Sequence, residues 1–191
     1  MNRRAALFTS LLALFLSTAA GTPWHAYHRA WQAETRDLKL YRGFGTALLL
    51  TGTLLTPDFR SDLAAERARL LDSPPEDVAT FAKRMKEDGA KWHEVVFAAE
   101  SPLQEGPLVF GSSDAGWQVR LTADGQAEKL VAVEQVDDPT PLHEALYPQI
   151  DQWSSVWIAR FERTVADPDT VVFEVASGFG HGRLVWRGLR H

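Results

Sequence analysis

Hydrophobic residues recur at helical spacing through much of the first half of this chain and alternate with polar ones through the second half. Over residues 24–38, Trp24, Tyr27, His28, Trp31, Thr35 and Leu38 share one side, and Arg29, Gln32, Arg36 and Asp37 fall mostly on the other. That spacing predicts a helix opened by Thr22-Pro23, its aromatic side docked on the body of the protein. Residues 46–56 are apolar on both faces and rich in threonine, which predicts a long buried strand, bent at Gly52 and ended by Pro57. Two helices are expected next. One covers residues 58–71 with Phe59, Leu63, Leu70 and Leu71 as its apolar positions. The other opens at the capping box Ser73-Pro74-Pro75-Glu76, carries Val78, Phe81, Ala82 and Met85 on one face, and stops at Gly89.

Beyond Gly89 the period is two. Val95, Phe97 and Ala99 alternate in one segment, and Trp117, Val119 and Leu121 in the next. Asp124-Gly125 marks a hairpin turn, after which residues 128–136 return. Trp157, Ala159 and Phe161, then Val171, Phe173 and Val175, then Leu184 and Trp186 define three more inward rows. Residues 137–153 contain Pro139, Pro141 and Pro148 and read as an ordered crossover pinned by Leu142, Leu146, Tyr147 and Ile150. Strands joined by turns pair antiparallel. The expected fold is therefore α+β: an antiparallel β-sandwich of about seven strands, with an N-terminal helix and a helical hairpin (residues 58–89) inserted after the first strand. A partly open barrel is the alternative.

The first residues change the picture of where the protein works. Arg3-Arg4 is followed by an apolar run over residues 5–16 and then by Ser17, Thr18, Ala19, Ala20 and Gly21. That order is the layout of a secretory signal peptide, and about 12 apolar residues fall short of the ~20 that span a bilayer. Residues 1–20 are read as the signal and 21–191 as the mature domain, placed in the periplasm or outside a bacterial cell. Membrane contact is expected only if the signal segment is retained.

Composition narrows the chemistry. The hydrophobic share of 45% and charged share of 24% belong to an ordinary globular protein. Loss of Arg3 and Arg4 takes the formal charge from −5 to −7, a poor match for nucleic acid. The chain has no cysteine. Disulfides, thiol catalysis, Cys-ligated metal and the lipoprotein type of lipid anchor are thereby excluded.

Strand parity divides the loops between the two ends of the sandwich. The helical hairpin, the Asp124 turn and the loop 164–169 share one end; the loop 100–116, the crossover and the turn 177–182 share the other. The second end gathers Tyr147, Trp153, Phe179 and His181, the residues expected to bind a ligand or partner. A hydrolase using His181 or His143 with Glu144 or Asp151 is the competing reading. His25 and His28 have ligand-compatible spacing but no third ligand beside them, and the acidic pairs at 137–138 and 167–169 fall at opposite ends. No nucleophile elbow, phosphate loop or dinucleotide fingerprint is present, so no cofactor and no metal are expected. Trp117, Trp157 and Trp186 point inward, leaving Trp24, Trp31, Trp92 and Trp153 for other roles. The function expected from these features is an exported, non-enzymatic envelope module that binds a protein partner or an apolar small ligand.

Overall fold

A computed structural model describes residues 23–103, 106–111 and 116–189. Residues 1–20, read as a signal from the sequence, and the Thr22 cap lie outside the described residues. In chain order the elements are α1 (Pro23–Glu34), β1 (Thr35–Arg42), β2 (Gly45–Leu54), α2 (Pro57–Leu71), α3 (Pro75–Lys91), β3 (Trp92–Glu100), β4 (Phe110–Gly111), β5 (Trp117–Ala123), β6 (Gln126–Glu128), β7 (Leu130–Val136), α4 (Pro141–Leu146), β8 (Ser155–Glu162), β9 (Thr170–Ser177) and β10 (Gly180–Arg187). Two mostly antiparallel sheets pack together as a sandwich. One has the order β1-β2-β3-β8-β7; the other runs β10-β9-β5-β4, with β6 paired to β5.

The α+β sandwich agrees with the sequence expectation, and the differences have local causes. The N-terminal helix stops at Glu34, and residues expected to continue it form β1, an edge strand with alternating partly buried and exposed positions. Thr35 Oγ1 donates back to Trp31 O or shares a bond with Thr53 Oγ1, so the β-branched residue serves the switch from helix to strand. The helical hairpin consequently follows the second strand, not the first. Its second helix has Pro74 at the N-cap with no side-chain cap, so the expected Ser73–Glu76 box does not form. Residues 128–136 do not make one strand: Glu128 ends β6 in one sheet, and Leu130 begins β7 in the other.

Gly52 is not a bend. It pairs in register with Arg36 on one side and Phe97 on the other. A Cβ there would stand 2.6 Å from Leu184 Cδ1, so the glycine admits the facing sheet. The Asp124 turn forms as expected, with Asp124 at φ 48° and Gly125 at φ 79°.

Between the sheets lies the first core, built on Phe97, Trp117, Phe161, Phe173 and Trp186. A second core covers the outer face of the β1–β7 sheet. Tyr27, Phe59, Leu63, Met85, Leu146 and Ile150 pack there on Val96 and Val156. β3 is therefore buried on both faces from His93 to Ala99, although its alternation matched a half-buried strand. The molecule has three layers: helices, middle sheet, outer sheet.

Candidate functional site

The parity grouping of loops is realised at the hairpin end. Asp124 Oδ1 accepts from the Asp169 and Thr170 amides at 3.0 and 2.9 Å. Arg163 Nη1 donates to Gly89 O at the end of α3 at 2.5 Å, and its Nη2 reaches Asp167 at 3.4 Å. These contacts tie the helical hairpin, the Asp124 turn and the loop after β8 into one rim.

A cavity of about 250 Å³ opens inside this rim, lined among others by Glu34, Thr56, Asp58, Trp92, His93 and Arg163. It shares Pro57, Asp58, Gly89, Arg163 and Asp167 with a groove of about 800 Å³ between α2 and α3. Ala64, Ala65, Val78, Ala82 and Met85 make the apolar walls of that groove. Its size falls within the ~300–1,000 Å³ of small-molecule sites. The groove exists because α3 buries its apolar face only in part: Met85 belongs to the second core and Phe81 packs partly on it, whereas Val78 is half-buried and Ala82 is exposed. Phe81 does not line the groove and is flanked by the guanidiniums of Arg67 and Arg84 at 4.4 and 5.1 Å.

Two buried polar pairs flank β3 on its opposite faces, and His93 of one of them lines the cavity. On the helix side, Arg60 Nη2 donates to Glu94 Oε2 at 3.1 Å while its Nε donates to Leu55 O. On the inter-sheet side, His93 Nδ1 meets Glu128 Oε2 at 2.5 Å. The Glu128 side chain is wholly buried, and its other oxygen accepts from the Thr164 and Val165 amides. A carboxylate so held acts as acceptor for the imidazole, placing the proton on Nδ1 and the lone pair on Nε2. Burial, aided by the nearby Arg163 and Arg60 guanidiniums, lowers the His93 pKa from 6.5 against the opposing pull of Glu128. Burial likewise raises the Tyr147 phenol, with the Glu94 carboxylate adding to it. At neutral pH the His93 imidazole is therefore uncharged. Chemically, the arrangement offers a hydrogen-bond acceptor at the floor of an apolar-walled cleft.

The residues singled out at the opposite end are not brought together in this way. Tyr147 is buried in the second core, not on a binding surface. Phe179 stacks on Trp117 and lies under Arg42, half-buried. Trp153 is 73% exposed. His181 is exposed, 3.8 Å from Glu174. His143 Nδ1 is used in the capping box at Thr140, and Asp151 accepts from the Trp153 and Ser154 amides. His181, His143 and Asp151, the groups of the hydrolase alternative described here, thus each have their own local setting. Gly182, expected in the turn 177–182, lies in β10 and packs it against Leu38 and Leu40 of β1.

His28 sits edge-on to Trp24 and Trp31, and among the described residues no group of three or more His, Asp or Glu side chains is arranged to hold a metal. Among the same residues no helix is long and apolar enough to cross a membrane.

His93 and Glu128 were not singled out by sequence reasoning, being 35 residues apart in two different strands. One signal existed: His93 has the parity of Val95, Phe97 and Ala99, so it had to face inward and needed a polar partner there. No protein-family model matches the chain, and no curated protein gives a significant match to it.

Proposed function

We propose that this protein is an exported, non-enzymatic module that binds an apolar small ligand in the groove between α2 and α3. The observation that carries this reading is the incompletely buried apolar face of α3. A helix with Val78, Ala82 and Met85 on one side normally closes onto its neighbour, whereas here about 800 Å³ stays open along it. The groove joins the smaller cavity at Pro57, Asp58, Gly89, Arg163 and Asp167, which places charged side chains at one end of an apolar-walled channel, an arrangement suited to a molecule with one apolar end. Export is supported by the basic, apolar, small-residue order of residues 1–21.

The test is titration with N-phenyl-1-naphthylamine, an uncharged probe that fluoresces in apolar surroundings. Saturable binding at one site is expected, and Ala82→Trp, which fills the groove from an exposed position, should abolish it. A protein that leaves the probe dark, or an Ala82→Trp variant that binds it equally well, would remove the reading. Mass measurement of the protein from its native cells tests export: residues 1–20 should be missing.

A further inference from the structure

We propose that the ligand of the cleft is an uncharged amphipath with a hydroxylated head, a glycerol-like polyol whose O–H groups enter the cavity beside His93 while its alkyl chain lies between α2 and α3. The proposal rests on the groove-binding reading above and adds to it the chemistry of the polar end.

The cavity presents mostly acceptors to a guest. His93 lines it, 8% exposed, with Nδ1 engaged by Glu128. Its Nε2 bonds no described residue and is not among their occluded unpartnered atoms, so it opens to the cavity. With the proton on Nδ1, that nitrogen accepts and cannot donate. The exposed carboxylates of Asp58 and Asp167 at the rim are acceptors as well. Arg163 already donates to Val165 O, Gly89 O and Asp167. A hydroxyl meets the acceptors with a proton, and its oxygen can still accept from the remaining guanidinium N–H groups.

Charge separates a polyol from an ammonium or a carboxylate. Most ions around the cavity and the adjoining groove are matched: Asp167 with Arg163, Glu94 with Arg60 and Glu87 with Lys83. Glu34 accepts from Thr56 Oγ1 at 3.2 Å. Asp58 and Lys86 remain, opposite in sign and both exposed, and Asp58 lies in the first turn of α2, where the helix terminus offsets its charge. An ionic head entering this space gives up water without gaining a countercharge, which costs far more than carrying a hydroxyl to an acceptor. An alkylamine does not escape by shedding its proton. With a pKa of ~10.4, the lysine value, only about one molecule in a thousand is neutral at pH 7.5.

Volume favours more than one hydroxyl. The cavity of about 250 Å³ has the room of roughly eight water molecules. A single O–H fills a small part of it, whereas a head with two or three occupies more and supplies a donor to more than one acceptor. The groove sets the tail. α2 and α3 run antiparallel, so the shared rim at Asp58 and Gly89 is one end and the stretch by Ala65 and Val78 is the other. Seven residues of α2 separate Asp58 from Ala65, about 10 Å of helix, which matches an alkyl chain of roughly eight carbons.

The experiment displaces N-phenyl-1-naphthylamine from the full protein at pH 7.5 with 1-O-octylglycerol, its di-O-methyl ether, n-octylamine and sodium octanoate, each below its micelle concentration. Octylglycerol should displace the probe about tenfold or more better than any of the other three. Imidazole nitrogen NMR of the same protein is the second readout: octylglycerol should shift the His93 Nε2 resonance and the dimethyl ether should not. His93→Asn, which keeps an N–H toward Glu128 and has no atom in place of Nε2, should bring octylglycerol to within about threefold of the ether. Equal displacement by octylglycerol and its ether, octylamine or octanoate matching octylglycerol, or an Nε2 resonance unmoved by it would overturn the polyol proposal while leaving the groove as a binding site. A probe that never binds would remove both.

Discussion

The guanidinium of Arg60 and the carboxylate of Glu94 lie 3.1 Å apart between the helical layer and the middle sheet, with side chains only 3% and 11% exposed. Glu94 also draws Arg160 to 3.6 Å, and Arg160 continues to Glu134 at the surface. A pair so deeply placed stabilises little against an apolar equivalent, but either member alone would be a buried, unmatched charge.

Arg60→Met is therefore expected to destabilise the fold by about 3–5 kcal/mol, and the double change Arg60→Met/Glu94→Leu to recover most of that loss. Urea unfolding of the three proteins checks this. A single substitution costing under about 1 kcal/mol would mean that water reaches the pair.

The His93–Glu128 pair gives a pH dependence of stability. Because burial holds the folded-state pKa of His93 below 6.5, the unfolded chain binds more protons between that depressed value and 6.5. The stability associated with neutral His93 is thus fully present above 6.5 and is lost as pH falls from there through the folded value. Thermal melts between pH 5 and 8 should show this slope, and His93→Gln, which keeps a donor toward Glu128, should flatten it whatever its effect on the melting temperature at pH 8. An identical slope in the variant would assign the acid sensitivity to other groups.

Gly182 and Gly178 sit four residues apart in the same glycine-rich stretch yet should respond oppositely to substitution. A Cβ at Gly182 would lie 2.7–2.8 Å from the Leu38 and Leu40 methyls, whereas nothing lies within 4 Å of one at Gly178. Gly182→Val should cost about 1–3 kcal/mol by wedging β10 from β1, and Gly178→Ala should stay within about 0.5 kcal/mol. Differential scanning calorimetry of both variants is sufficient. A neutral Gly182→Val would show that the two sheet edges separate freely.

Period-two alternation carried most of the architecture because side chains in strands have only two directions. Trp117, Trp157 and Trp186 are all buried as their parity requires. Three features escaped for physical reasons. β1 was hidden because its alternation overlaps a continued helical stripe, and only the Thr35 contacts decide between them. The split of residues 128–136 depends on which sheet each half joins, a long-range matter. The groove between α2 and α3 was not singled out, because aromatic and histidine content drew attention to the His181 end. The apolar walls of the groove at the other end are alanines, a valine and a methionine, ordinary core residue types, of which Ala65 and Ala82 are left exposed.

Val95 and Val96 are neighbours in β3, yet each belongs to a different core. The middle sheet is thus a party wall, and the helical hairpin is no detachable ornament on a sandwich. Excising it would take Phe59, Leu63 and Met85 from the second core and bare the middle sheet's outer face beneath them. Shortening or swapping the hairpin, in evolution or by engineering, is therefore restricted to what preserves its inner side. Its outward surface and the exposed groove positions Ala65 and Ala82 remain free to vary without rebuilding the fold.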